Sequence, residues 1–130
     1  MTLADSNILL LVLQRDHPAH PIAWEAVKKL HAAGEIVLVP QNIVELWVVC
    51  TRPKEQNGFG IAPAKAATYL ARVNRAFPVL PDTPAIHIEW QRLVTDHGVS
   101  GKKAHDARLV AAMRSHGIQN ILKHTHLEHG

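Results

Sequence analysis

Three carboxylates stand out by their surroundings. Glu45 lies in Ile43-Val44-Glu45-Leu46-Trp47-Val48-Val49, an otherwise apolar run. A carboxylate taken out of water there is unfavourable unless something pairs with it. A cation, a neighbouring Lys or Arg, or a helix face that meets solvent would each meet that need. Asp5 follows the short apolar pair Leu3-Ala4, where a first strand would end. Open parallel sheets bind ligands beyond the carboxyl ends of their strands, so a carboxylate there is well placed. In Asp5-Ser6-Asn7 the same side chain would equally cap a following helix. Asp106 falls in the first turn of a helical segment running to His116. The helix N-terminus keeps it ionised, either to bind a metal or to serve only the helix dipole.

The elements that must position these acids are marked by changes in apolar period. Leu3-Ala4 reads as a short buried strand, and Ile8 to Leu13 as helix or strand, which periodicity alone does not decide. From Pro21, the residues Ala23, Ala26, Val27 and Leu30 follow a helical repeat that Gly34 stops. Ile36 to Val39 is a β-branched buried strand ended by Pro40. Residues 43 to 50 read as a buried helix, with Asn42 as its cap and Arg52-Pro53 as its close. A loop through Asn57, Gly58 and Gly60 leads to a helix opened by Pro63, with Ala66, Tyr69, Leu70, Val73 and Phe77 on its face. Val79-Leu80 is a very short strand at best, and Thr83-Pro84 caps a helix carrying Ile86, Trp90, Leu93 and Val94. A last helix spans 104–116 and a last strand lies within Ile118 to Leu122. Strands alternating with helices give an α/β fold with a mainly parallel sheet. Trp24, Trp47 and Trp90 all fall on apolar helix faces and read as core.

Composition bounds the rest. The chain has 130 residues, 47% hydrophobic and 19% charged, which fits one folded domain and disfavours disorder. No apolar run approaches the ~20 residues of a membrane span, and no basic segment precedes Ile8 to Leu13 as in a secretory signal. A single cysteine, Cys50, fits a reducing cytoplasm. The net charge of +3 permits an anionic partner such as nucleic acid. His124, His126 and His129 would hold Zn²⁺ only adventitiously, His105-Asp106 lacks the all-helical setting of a phosphohydrolase, and no Gly-x-Ser-x-Gly turn supports a serine hydrolase.

The acids and their neighbours carry a family resemblance over nearly the whole chain. Ala4-Asp5-Ser6-Asn7, the stretch Asn42-Ile43-Val44-Glu45-Leu46-Trp47, and Val99-Ser100-Gly101-Lys102-Lys103-Ala104-His105-Asp106-Ala107-Arg108-Leu109 resemble the PIN domain family. Leu80-Pro81-Asp82-Thr83-Pro84 and the residues from Met113 to Leu122 are similar to bacterial members, the VapC-type toxins among them. The resemblance implies a PIN-like α/β/α domain over residues 1–123, with a central, mainly parallel sheet flanked by helices. It implies a Mg²⁺- or Mn²⁺-dependent endoribonuclease, the toxin of a toxin–antitoxin pair, with Asp5, Glu45 and Asp106 as metal-holding and catalytic acids. Ser6 and Asn7 would orient a ligand or touch phosphate, and Lys102, Lys103 and Arg108 would steer RNA or remain solvated surface. A homodimer and an antitoxin filling the acidic groove are inherited expectations, as is a cytoplasmic location.

The carboxyl end departs from the family pattern. After the last strand the family carries Thr and a further Asp, where this chain reads Lys123-His124-Thr125-His126-Leu127-Glu128-His129-Gly130. Glu128 falls near the later acid and is the candidate fourth ligand. The family's closing strand is missing, and residues 124–130 form an atypical tail, native or vector-derived. Asp82 and Asp96 are further candidates, Asp82 in a proline-flanked turn that fits a helix cap. An incomplete acidic set would instead leave a PIN-like module that binds RNA or protein without cleaving.

Overall fold

The computed structural model describes residues 1–124. Short strands buried on both faces divide its layers. β1 (Thr2–Ala4) is the central strand of a three-stranded sheet, flanked by β2 (Ile36–Val37) and β3 (Asn120–Leu122), all parallel. Thr2 pairs with Ile36 on one side and Asn120 on the other. Because successive strand side chains point to opposite faces, Ala4 and Ile36 enter one core while Leu3 and Val37 enter the other.

Helices cover both faces. α1 (Ser6–Leu13), α2 (His20–Ala32), α3 (Pro40–Thr51) and α4 (Pro63–Ala76) supply the first core, through residues such as Ile8, Val27, Leu46, Ala66 and Val73. α5 (Pro84–Asp96) and α6 (Lys103–His116) supply the second, where Ile86 and Leu93 meet Ala111 and Ala112. The result is the α/β/α arrangement expected from the sequence. A helix apolar on every side is a buried helix, which settles the Ile8 to Leu13 run: Ile8, Leu9, Leu10 and Leu11 are all buried in α1. Among the described residues no helix is long and apolar enough to cross a membrane.

Several local expectations are corrected. α3 begins at Pro40, so Asn42 is inside its first turn rather than its cap. Proline is well suited to that first position because its missing N–H lies among the groups left unpaired there. Asn42 still serves the helix end, since its Oδ1 accepts from the Val39 N–H at 2.9 Å. The ladder of β2 stops at Val37, and Leu38 instead forms a lone parallel bridge with Val79. Thr83 makes no side-chain cap bond to α5. Trp47 and Trp90 pack against the two cores, but Trp24 is 44% exposed and is not core. Its helix turns it toward a groove of about 1280 Å³ that Leu13, His17, Tyr69, Arg72 and Phe77 also line.

Candidate active site at the carboxyl edge of the sheet

The parallel strands all end on one side, and the chain leaves each of them toward a helix start or a short tail. Asp5 directly follows β1 and caps α1, its Oδ1 accepting from the Ser6 N–H at 2.8 Å. The strand-end position and the helix cap read from the sequence therefore coincide at this residue. The backbone N–H of Asp5 donates to the Leu122 carbonyl at 3.0 Å, which sets Lys123 beside it. α3 starts just after β2 and carries Glu45 one turn in from Gln41. α6 precedes β3, so its N-terminus and Asp106 return to the same edge. Trp90 fixes that end of α6, its indole N–H donating to the Ala104 carbonyl at 2.8 Å.

Glu45 is held from two sides by neutral donors. Ser6 Oγ donates to its Oε2 at 2.7 Å, and Gln41 Nε2 donates to its Oε1 at 2.9 Å. Hydrogen bonds from a hydroxyl and an amide, which were not among the remedies weighed from the sequence, stabilise the partly buried carboxylate. Ser6 is only 6% exposed, and its hydroxyl is engaged with Glu45. Asn7 is exposed beside it at the start of α1.

The acids feel one another. Burial raises the Asp5 carboxyl above its ordinary value, and the charges of Glu45 and Asp106 push it further in the same direction. The Ser6 N–H and Lys123 oppose that shift. Asp106 itself is exposed in the first turn of α6, as are Lys102 and Lys103 at its start. Arg108 is engaged by its neighbours while still half-exposed: its Nη2 pairs with Asp82 at 3.4 Å and its Nη1 donates to Gln41 Oε1 at 3.4 Å. Asp82 is thus an ion-pair partner across the α5–α6 layer, correcting its reading as a helix cap. Asp96 is the last residue of α5.

Among the described residues, no three His, Cys, Asp or Glu side chains converge into a ready-made cation cage. Glu128, the candidate fourth acid, lies outside the described residues, as do His126 and His129. The donor chemistry nevertheless fits a hard divalent ion. Mg²⁺ is commonly held by one or two carboxylates, several waters and substrate phosphates rather than by a complete protein cage. Two residues of this edge were missed from sequence. Gln41 was legible as the residue four before Glu45 on one helix, a spacing that puts the pair on one face. Lys123 had no such signal, because only the β1–β3 pairing brings it to Asp5.

Fold and site together define a parallel α/β/α domain with carboxylates gathered at the carboxyl edge of its sheet. A profile of the PIN domain matches residues 2–127, and the chain belongs to the PIN domain family. It is similar to Ribonuclease VapC24 of Mycobacterium tuberculosis, with the same figures in two strains: 27% identity over 123 residues, covering 90% of this chain and 81% of the relative. Its fold is similar to that of a solved structure, VapC20 of Mycobacterium tuberculosis, described as a toxin cleaving the sarcin–ricin loop. That match has a TM-score of 0.65 at 18% identity and covers 93% of this chain and 87% of the other.

Proposed function

We propose that this chain is an endoribonuclease that hydrolyses RNA phosphodiester bonds with Mg²⁺ or Mn²⁺ and acts as the toxin of a toxin–antitoxin pair. The observation that carries this reading is the meeting of Asp5 and Glu45, with Asp106 close enough to act on Asp5, at one edge of a PIN domain. The similarity to a relative named a ribonuclease supports it.

Asp5, Glu45 and Asp106 would hold the ion. When bound, it supplies Lewis acidity toward the scissile phosphate and an activated water. The chain's own residues do the rest. Ser6 and Gln41 fix the Glu45 carboxylate, and Lys123 tempers the charge at Asp5. Lys102 and Lys103, exposed at the start of α6, attract the RNA backbone and lower the repulsion between acids and phosphate. Antitoxin binding, a homodimer and a cytoplasmic location belong to this same reading.

The test is cleavage of a labelled single-stranded RNA pool with Mg²⁺ or Mn²⁺, comparing the chain with Asp106→Asn. Metal-dependent cleavage that is lost in the variant is the expected result. No cleavage by the folded chain favours the second reading, a PIN module that binds RNA or protein without cutting. The specific observation on its side is that three ligands do not already converge among the described residues.

A further inference from the structure

Gln41 makes three polar contacts at the edge of the acid site, and together they use both ends of its amide. Nε2 donates to Glu45 Oε1 at 2.9 Å and to the backbone carbonyl of His105 at 2.9 Å. Oε1 accepts from Arg108 Nη1 at 3.4 Å. Two acceptors facing the nitrogen and one cationic donor facing the oxygen leave a single sensible amide orientation, since a flipped amide would set oxygen against oxygen. Arg108 is in turn fixed by its ion pair with Asp82.

The consequence lies in what these partners carry. Glu45 is one candidate ligand, one helical turn along α3 from Gln41. His105 immediately precedes Asp106, a second candidate ligand, in the first turn of α6. The two acids come from separate helices on opposite faces of the sheet, and their spacing is set only by tertiary contacts. Because the acids do not already form a closed cage, the side chain spanning the two helices governs how readily they share one ion.

We infer that Gln41 is a positioning residue for the acid site: by tying the Glu45 carboxylate to the backbone beside Asp106, it sets the distance between two ligands that belong to different helices. The inference rests on the acid-site reading above. Partners that orient metal ligands typically change metal affinity by ~10–100-fold when removed. Here the loss should fall at the lower end, about tenfold, because Ser6 still holds the other oxygen of Glu45.

The experiment is titration calorimetry of the full chain with Mn²⁺ alone, with thermal unfolding and RNA cleavage measured on the same samples. Gln41→Met keeps length and helix propensity and removes all three contacts, and Gln41→Ala serves if Met perturbs folding. The expected result is about tenfold weaker Mn²⁺ binding with nearly unchanged unfolding temperature. The cleavage deficit should also be recovered by excess Mn²⁺, which a merely structural defect would not allow. Wild-type Mn²⁺ affinity in both variants overturns the inference, as does a deficit that persists at saturating metal. Failure of the wild-type chain to bind Mn²⁺ overturns instead the acid-site reading on which the inference stands.

Discussion

Asn42 joins sheet edge to site helix, and its removal has a loss that can be worked from the structure. The side chain is fully buried, and its Oδ1 accepts the N–H of Val39, itself 1% exposed, at 2.9 Å. Asn42→Ala leaves that N–H without its acceptor, a loss of about 1–3 kcal/mol for a buried donor. It also opens a small void, which adds to the loss. One term runs the other way: Nδ2 has no hydrogen-bond partner among the described residues, so its deletion removes a buried unsatisfied group. The net expectation is a destabilisation of about 2 kcal/mol. With unfolding entropy of about 2.1 cal/mol/K per residue, a chain of 130 residues would lose roughly 7 °C in Tm. Circular dichroism melts and urea titrations measure this directly, and an unchanged m-value would show that the change is one of stability alone. Asn42→Leu separates the contributions, because it fills the volume yet makes no bond to Val39. It too should lose more than about 1 kcal/mol. A Leu variant as stable as the wild type would refute the reasoning, since the position would then need only volume and the start of α3 would not depend on the bond.

Other outcomes follow from the same contacts. The folded chain binds the Asp5 proton more tightly than the unfolded chain does, because burial and then the neighbouring acids raise that carboxyl. Stability from this group is therefore present at low pH and lost as pH rises from the ordinary carboxylate value through the raised folded one. Asp5→Asn, which keeps an acceptor for Ser6, should melt higher than wild type at neutral pH and equally at the acid end, while losing RNA cleavage; equal melting at both ends would contradict the assigned burial and repulsion. Leu46→Ala, at a fully buried position, should destabilise by about 3 kcal/mol in urea titrations. Trp24→Ser, at a half-exposed one, should fall clearly short of that loss, and a larger loss would return Trp24 to the core. Gly58→Ala places a methyl against the backbone of Arg52, which cannot swing away as a side chain can, so melting should reveal a loss of about 2 kcal/mol. Lys102→Ala with Lys103→Ala should raise the apparent KM for RNA and flatten its salt dependence with little change in kcat; an unchanged salt slope would mean that these lysines do not meet the backbone.

The order of elements was legible because burial imposes period on a sequence. Ile36-Val37 next to Pro40, and the helical repeat from Ala66 to Phe77, each announced their element locally. Asp5 and Asp106 were legible for a related reason: the end of a short strand and the first turn of a helix are places where a carboxylate has something to do. Glu45 stood out by being the one charge in an apolar run. The sequence also marked Asn42 as a helix-end residue, but not its true role, because its partner Val39 is chosen by where the helix begins rather than by composition.

What the sequence alone determined about this protein is its alternation of strands and helices, its family and the acids that define its candidate site. Tertiary structure decided how those acids are held. Gln41 reaches His105 and Ser6 reaches Glu45 across gaps of 64 and 39 residues, and Lys123 faces Asp5 only because β3 lies beside β1. Tertiary packing also turned Trp24 outward from a face that read as core, toward a groove between helices. The physical reason is common to all of these. Period and capping depend on neighbours a few residues away, whereas the direction of a hydrogen bond and the exposure of a ring depend on which distant segments the packed sheet brings alongside.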